Sequence, residues 1–143
     1  MDSPPVGLAQ LMAIERELVW ISVGLINATK DEAEVKKVLQ FLERQEEWAQ
    51  KNHRKTVNFE TEMLLMALDD VGNFEKWEPD LYEEEKRCAA AEKLARQASL
   101  DVREIEEQLA SKSRIKKVYE QLMAYTMEKR DQMCASLRRD AMH

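Results

Sequence analysis

The chain has 143 residues, of which 35% are charged and only 6% aromatic, with three glycines and three prolines. That shortage of turn formers and large apolar residues excludes the usual make-up of a compact enzyme domain and matches long helices and coiled coils, while a 44% hydrophobic fraction excludes simple disorder. A formal net charge of −6 speaks against nucleic-acid binding by the chain as a whole.

The composition predicts an all-α fold, with long amphipathic helices in a hairpin or bundle of coiled-coil character. One elongated domain is expected over residues 8–143, behind a breaker-rich start, MDSPPVG, that should fray. Leu11, Ile14, Leu18, Ile21 and Leu25 then recur on one helical face, which predicts a first helix over 8–27. Trp20, Val23 and Ile26 widen the stripe, so this helix should be buried on more than one side. Its most apolar run, residues 18–26, is too short for a bilayer, which needs about 20 residues. It lacks the small-residue cleavage site of a signal peptide. Asn27-Ala28-Thr29 fits a glycosylation acceptor, but nothing else suggests secretion.

Thr29 followed by Glu32 reads as a capping box opening a second helix over 30–70. Its expected seam is Val35, Val38, Leu42, Gln45, Ala49, Asn52, Thr56, Phe59, Met63 and Met66. The polar members imply loose packing, and Phe41 with Trp48 forms a second stripe suited to another neighbour. Residues 70–73, Asp-Val-Gly-Asn, are turn chemistry; Gly72 and Asn73 tolerate a left-handed backbone, and Asn73 could cap the next helix.

A third helix over 74–110 follows, with the stripe Phe74, Trp77, Leu81, Glu84, Cys88, Ala91, Ala95, Ala98, Val102, Ile105 and Leu109. Small residues from 88 to 98 allow close approach of another helix. Pro79 must kink this helix or mark its start. At Lys112 the phase slips, which predicts a joint near 111–113 and a fourth helix over 112–139 with Ile115, Val118, Leu122 and Tyr125 on a new stripe.

Charge is uneven along this half. Residues 69–110 hold 13 acidic and 6 basic side chains, and residues 111–139 hold 3 and 8. Tyr119 and Tyr125 are interleaved with the basic residues but lack any RNA- or DNA-binding motif around them.

Little in the sequence suggests catalysis, and no enzyme activity, cofactor or metal is expected. There are two histidines, too few for a histidine-based triad or facial metal site, and His53 in KNHRK reads as a solvated residue. No glycine-rich phosphate loop is present. Glu83, Glu84 and Glu85 are consecutive and point in different directions on a helix, and the Glu-x-x-His pattern of di-iron bundles is absent. Cys88 has no base near it in sequence and reads as a small core residue. Met63, Met66, Met123 and Met127 lie on or beside apolar stripes as core fillers. With only Cys88 and Cys134, neither a disulfide framework nor a zinc pattern arises, which points to a reducing cytosolic or nuclear compartment.

Residues 67–94, ALDDVGNFEKWEPDLYEEEKRCAAAEKL, resemble the signature of the first subunit of the biogenesis of lysosome-related organelles complex. The resemblance rests on Val71, Gly72, Asn73, Phe74, Glu75, Lys76 and Trp77, followed by the small run from Cys88 to Ala91. Asn73 and Lys76 stand where that family has acidic and asparagine residues, Pro79 interrupts where it continues as helix, and the chain runs on past Leu94, where the family soon ends. The resemblance implies a small helical subunit of a coiled-coil assembly on endosomal or lysosomal membranes, shared with a sister complex that positions lysosomes.

Wide amphipathic stripes independently imply assembly with other helices. The residues expected to bind partners are Phe74, Trp77, Leu81, Val102, Ile105, Leu109, Ile115 and Leu122, the first three as an aromatic anchor beside the turn. The expected function is a non-catalytic scaffold subunit of a hetero-oligomeric coiled-coil complex in membrane trafficking, cytoplasmic and peripheral on membranes through that complex. The alternative is a coiled-coil subunit of a nuclear complex, in mRNA export or at the kinetochore, with its basic C-terminal third near nucleic acid.

Overall fold

The structure is a computed structural model and describes residues 6–142. Two helices, α1 (Val6–Asp69) and α2 (Phe74–Ala141), are joined by a 3-10 turn at Val71–Asn73, and no strand occurs among the described residues. Residues 1–5, expected to fray, lie outside the described part; Gly7, placed with them, is already helical.

The expected break between a first and second helix is absent, because α1 runs straight through Asn27, Ala28 and Thr29. The Thr29 hydroxyl donates to the Leu25 carbonyl at 2.8 Å, which satisfies it within the helix instead of capping a new one. Glu32 does not serve a capping box either; it is buried and accepts hydrogen bonds from α2. The joint expected near 111–113 is likewise absent, and α2 continues through it.

Pro79 lies inside α2, one and a half turns from its start. Its ring nitrogen has no hydrogen to give the Glu75 carbonyl, so the helix begins with one ladder bond missing. Glu75 in the first turn and Arg138 and Arg139 in the last complement the helix dipole.

The turn needs no left-handed residue, since no described residue has a positive φ. The chain reverses through short-range bonds: Asp70 N–H to Ala67 O at 3.2 Å, and Asn73 N–H to Asp70 O at 2.9 Å. Phe74 N–H donates to Val71 O. Asn73 does not cap α2 with its side chain; its amide donates to the Asp70 carboxylate.

The chain divides into two compact units. In the first, residues 6–35 pack against residues 108–142. The second is Lys36–Glu107, a helical hairpin closed by the turn. In the first unit Ile14, Leu18, Ile21 and Ala28 are buried, with Leu11, Leu25, Val35, Leu109, Lys112, Lys116, Tyr119 and Met123 half-buried between the helices. In the second unit the buried apolar residues are small, Ala49, Ala67, Ala91 and Ala95, with Val102 the largest, and Glu84 is buried beside them in the same stripe.

Along both helices the shielded positions alternate in steps of four and three. On α1 of the second unit they are Leu39, Leu42, Glu46, Ala49, His53, Thr56, Glu60, Met63 and Ala67. The expected seam was right at 42, 49, 56 and 63. At the other set it chose the neighbouring residue: Val38, Gln45, Phe59 and Met66 face solvent, and Asn52 is half-buried. His53, expected to be solvated, is half-buried at a seam position.

On α2 the stripe from Trp77 to Leu109 is the shielded one, as expected, and it continues in phase through Lys112, Lys116, Tyr119, Met123, Thr126, Arg130, Met133 and Leu137. Ile115, Val118, Leu122 and Tyr125 are therefore not a new seam but an outward row. Met63 and Met123 are half-buried, whereas Met66 and Met127 are exposed.

Candidate partner-binding surfaces

In the first unit, close packing on one side of the helix pair fixes an aromatic edge. Tyr119 lies over Gly24, so near that a methyl group on the glycine would overlap the ring. Trp20 stands beside it, with ring centroids 6.4 Å apart and planes tilted by 58°. Trp20 is nevertheless 66% exposed, so it is not buried on a second side as its stripe suggested. Val23 and Ile26 are exposed as well. On α2, Ile115, Val118, Leu122 and Tyr125 also face solvent, at the three- and four-residue spacing that keeps them on one helical face. Soluble monomers seldom leave rows of large apolar residues uncovered.

Between these helices lies a polar cluster. Glu32 accepts from the Ser113 hydroxyl at 2.9 Å and from the Lys116 ammonium at 3.4 Å. Glu32 is buried, and the Lys116 side chain is largely shielded. Such a layer rewards one alignment of the two helices, because any shift takes the Ser113 and Lys116 donors away from the buried carboxylate.

In the second unit the turn is held by one carboxylate. Asp70 accepts from the Asn73 amide at 2.9 Å and from the Trp77 indole N–H at 3.1 Å. The Asn73 bond first, and the Trp77 bond second, hold the Asp70 carboxyl below its ordinary pKa, since both favour the charged form. Trp77 is thus tied within its own chain and half-buried, and Leu81 is half-buried next along the face.

Phe74 is 42% exposed, and Leu65, Leu68, Val71 and Tyr82 are more so. Further along, half-buried Cys88 has Glu60 and Thr56 of α1 beside it. Partial burial, then the Glu60 bond and charge, push its pKa up, which lowers the reactive thiolate fraction.

The eight residues expected to bind partners fall into two groups. Val102, at 5% exposure, with half-buried Trp77, Leu81, Ile105 and Leu109, lies on the shielded stripe of α2. Phe74, Ile115 and Leu122 face outward. The outward residues Trp20, Val118, Tyr125, Leu65, Leu68 and Tyr82 were not among the eight. The signal that could have found them is apolar residues one or two positions away from a continuous four–three alternation.

Among the described residues, no group of three or more His, Cys, Asp or Glu side chains is placed to hold a metal ion. No described helix is long and apolar enough to cross a membrane. No protein-family model, curated protein or solved structure matches the chain.

Proposed function

We propose that this chain is a non-catalytic assembly subunit of a hetero-oligomeric complex of helical, coiled-coil proteins. The observation that carries the reading is the outward row of Trp20, Ile115, Val118, Leu122 and Tyr125, left uncovered by a helix pair in which, among the described residues, no large side chain is fully buried. The resemblance of residues 67–94 supports a place in endosomal or lysosomal membrane trafficking, in the cytoplasm and on membranes through the complex.

The alternative, a nuclear complex near nucleic acid, draws on the basic residues of 111–139. It is the weaker of the two, because residues 6–35 bring five acidic against two basic side chains into the same unit. Together the described residues of that unit hold nine acidic and ten basic side chains.

Purification of the chain from its native cell at moderate salt, with mass spectrometry of what stays bound, tests both. Several small helical proteins with endosomal or lysosomal components are the expected catch; RNA-processing or chromosomal proteins would promote the alternative. Trp20→Ser, Leu122→Ser and Tyr125→Ser together should release the partners while leaving the helical signal intact. A chain recovered alone and monomeric defeats the assembly reading.

A further inference from the structure

We propose that the turn-proximal end of the Lys36–Glu107 unit docks a basic amphipathic helix from a partner protein. The inference rests on the reading of the chain as an assembly subunit and supplies the chemistry of one partner.

An open groove of about 340 Å³ lies there, lined by Leu64, Phe74, Leu81 and Tyr82 together with Glu60, Glu78 and Glu85. The lining is thus an apolar floor with carboxylates and no cation. Leu68 and Val71, close to Leu64 in sequence, are also exposed apolar residues, Val71 to 71%. Residues 75–85 hold six carboxylates against one lysine.

The nearby ion pairs, Lys86 with Glu83 at 3.8 Å and Arg87 with Glu84 at 2.7 Å, use none of the three groove carboxylates. Tyr82 already receives a cation: the Lys86 ammonium stands 4.3 Å from its ring centre. The whole net charge of the chain belongs to this unit, with 18 acidic and 12 basic residues in 36–107.

A helix with apolar anchors at steps of three and four fits such a floor. Lysines or arginines flanking those anchors meet the carboxylates, whereas an acidic helix is repelled. The same charge argues against the other occupants. A second copy seated through this same end sets like charges together in a self-complementary contact. An anionic membrane surface attracts basic segments and repels this one.

The test uses the full chain and two synthetic helices of about 18 residues, identical in their leucines at three–four spacing and carrying either lysine or glutamate elsewhere. Fluorescence anisotropy should show the lysine peptide binding at least about tenfold tighter than its glutamate counterpart, and weakening as salt rises. Glu60→Gln, Glu78→Gln and Glu85→Gln together should cost about tenfold in affinity, as should Phe74→Ser. Glu104→Gln, Glu106→Gln and Glu107→Gln, which remove equal charge from the same unit, should change it by less than about twofold. Circular dichroism checks that each variant keeps its helices.

Equal loss from either triple variant, or equal affinity for both peptides, overturns the proposal. So does self-association of the chain alone, or binding to neutral or anionic phospholipid vesicles, if Phe74→Ser abolishes it, since the occupant is then a second copy or a lipid surface. A native complex that survives the groove variants intact overturns this inference alone; a chain with no partners at all overturns the assembly reading beneath it.

Discussion

Gly24 and Gly72 behave differently on substitution although neither has a positive φ. Alanine favours a helix interior over glycine by about 1 kcal/mol, but at Gly24 the added methyl meets the rigid ring of Tyr119. Overpacking of this kind costs about 1–3 kcal/mol, so Gly24→Ala should lose about 1 kcal/mol net in urea unfolding. Nothing lies within 4 Å of a methyl at Gly72, and Gly72→Ala should be neutral or gain about 0.5 kcal/mol through the unfolded chain. Equal effects at the two sites would show that Tyr119 does not hold this place in solution.

Asp70 provides a pH-dependent test at the same scale. Its pKa is lowered in the fold by Asn73 and Trp77, so its contribution is present above the unfolded-state value and is lost as pH falls through the folded one. Acid should therefore loosen the turn, and the Trp77 indole N–H resonance should report it. In Asp70→Asn that resonance should no longer follow the acid titration; a persistent titration would assign the bond elsewhere.

At the level of the helix pair, the Glu32–Ser113–Lys116 layer separates favourable alignment from raw stability. Lys116→Met leaves a buried carboxylate short of one cation. Because the Lys116 side chain is 29% exposed, the cost should fall below the range for a fully buried pair, at about 1–2 kcal/mol. Replacing both partners, Glu32→Leu with Lys116→Leu, should recover most of that loss. A double-mutant cycle with no coupling between positions 32 and 116 would mean the contact contributes nothing.

These polar seam residues also explain what the sequence concealed. On α2, Leu81, Ala91, Ala95, Val102 and Ile105 are small or apolar at nearly every shielded position, so their phase was readable. On α1 after Val35, two alternations share positions 42, 49, 56 and 63 and differ by one residue between them. Val38, Phe59 and Met66 are apolar, whereas the shielded neighbours include Glu46, His53 and Glu60, so apolarity favoured the wrong set. Lys112 and Lys116 produced the apparent slip on α2 in the same way. The all-α fold and the turn were legible. The outward row was not, because Ile115 and Leu122 look like seam residues until the helix is known to continue in phase.

Over the whole molecule, the two units bury different amounts of hydrocarbon. Each additional buried methylene contributes about 0.8 kcal/mol, and the first unit buries Ile14, Leu18 and Ile21 where the second buries mostly alanine. Native-state hydrogen exchange should therefore show amides within 36–107 opening at lower free energy than those of 6–35 and 108–141. One common opening energy throughout would mean that the units unfold only together.

The unbroken four–three spacing carries a further consequence, for how this chain can vary in length among its descendants. Loss of a single residue within a helix turns everything beyond it by about 100°, exchanging alanines for charged side chains at the contact. Loss of seven residues restores the faces, but from one arm alone it parts pairs such as Glu60 and Cys88. Only matched losses or gains of seven, one in each arm of the hairpin, preserve both. Indels in these helices should therefore come in facing pairs, with the turn free to differ by single residues.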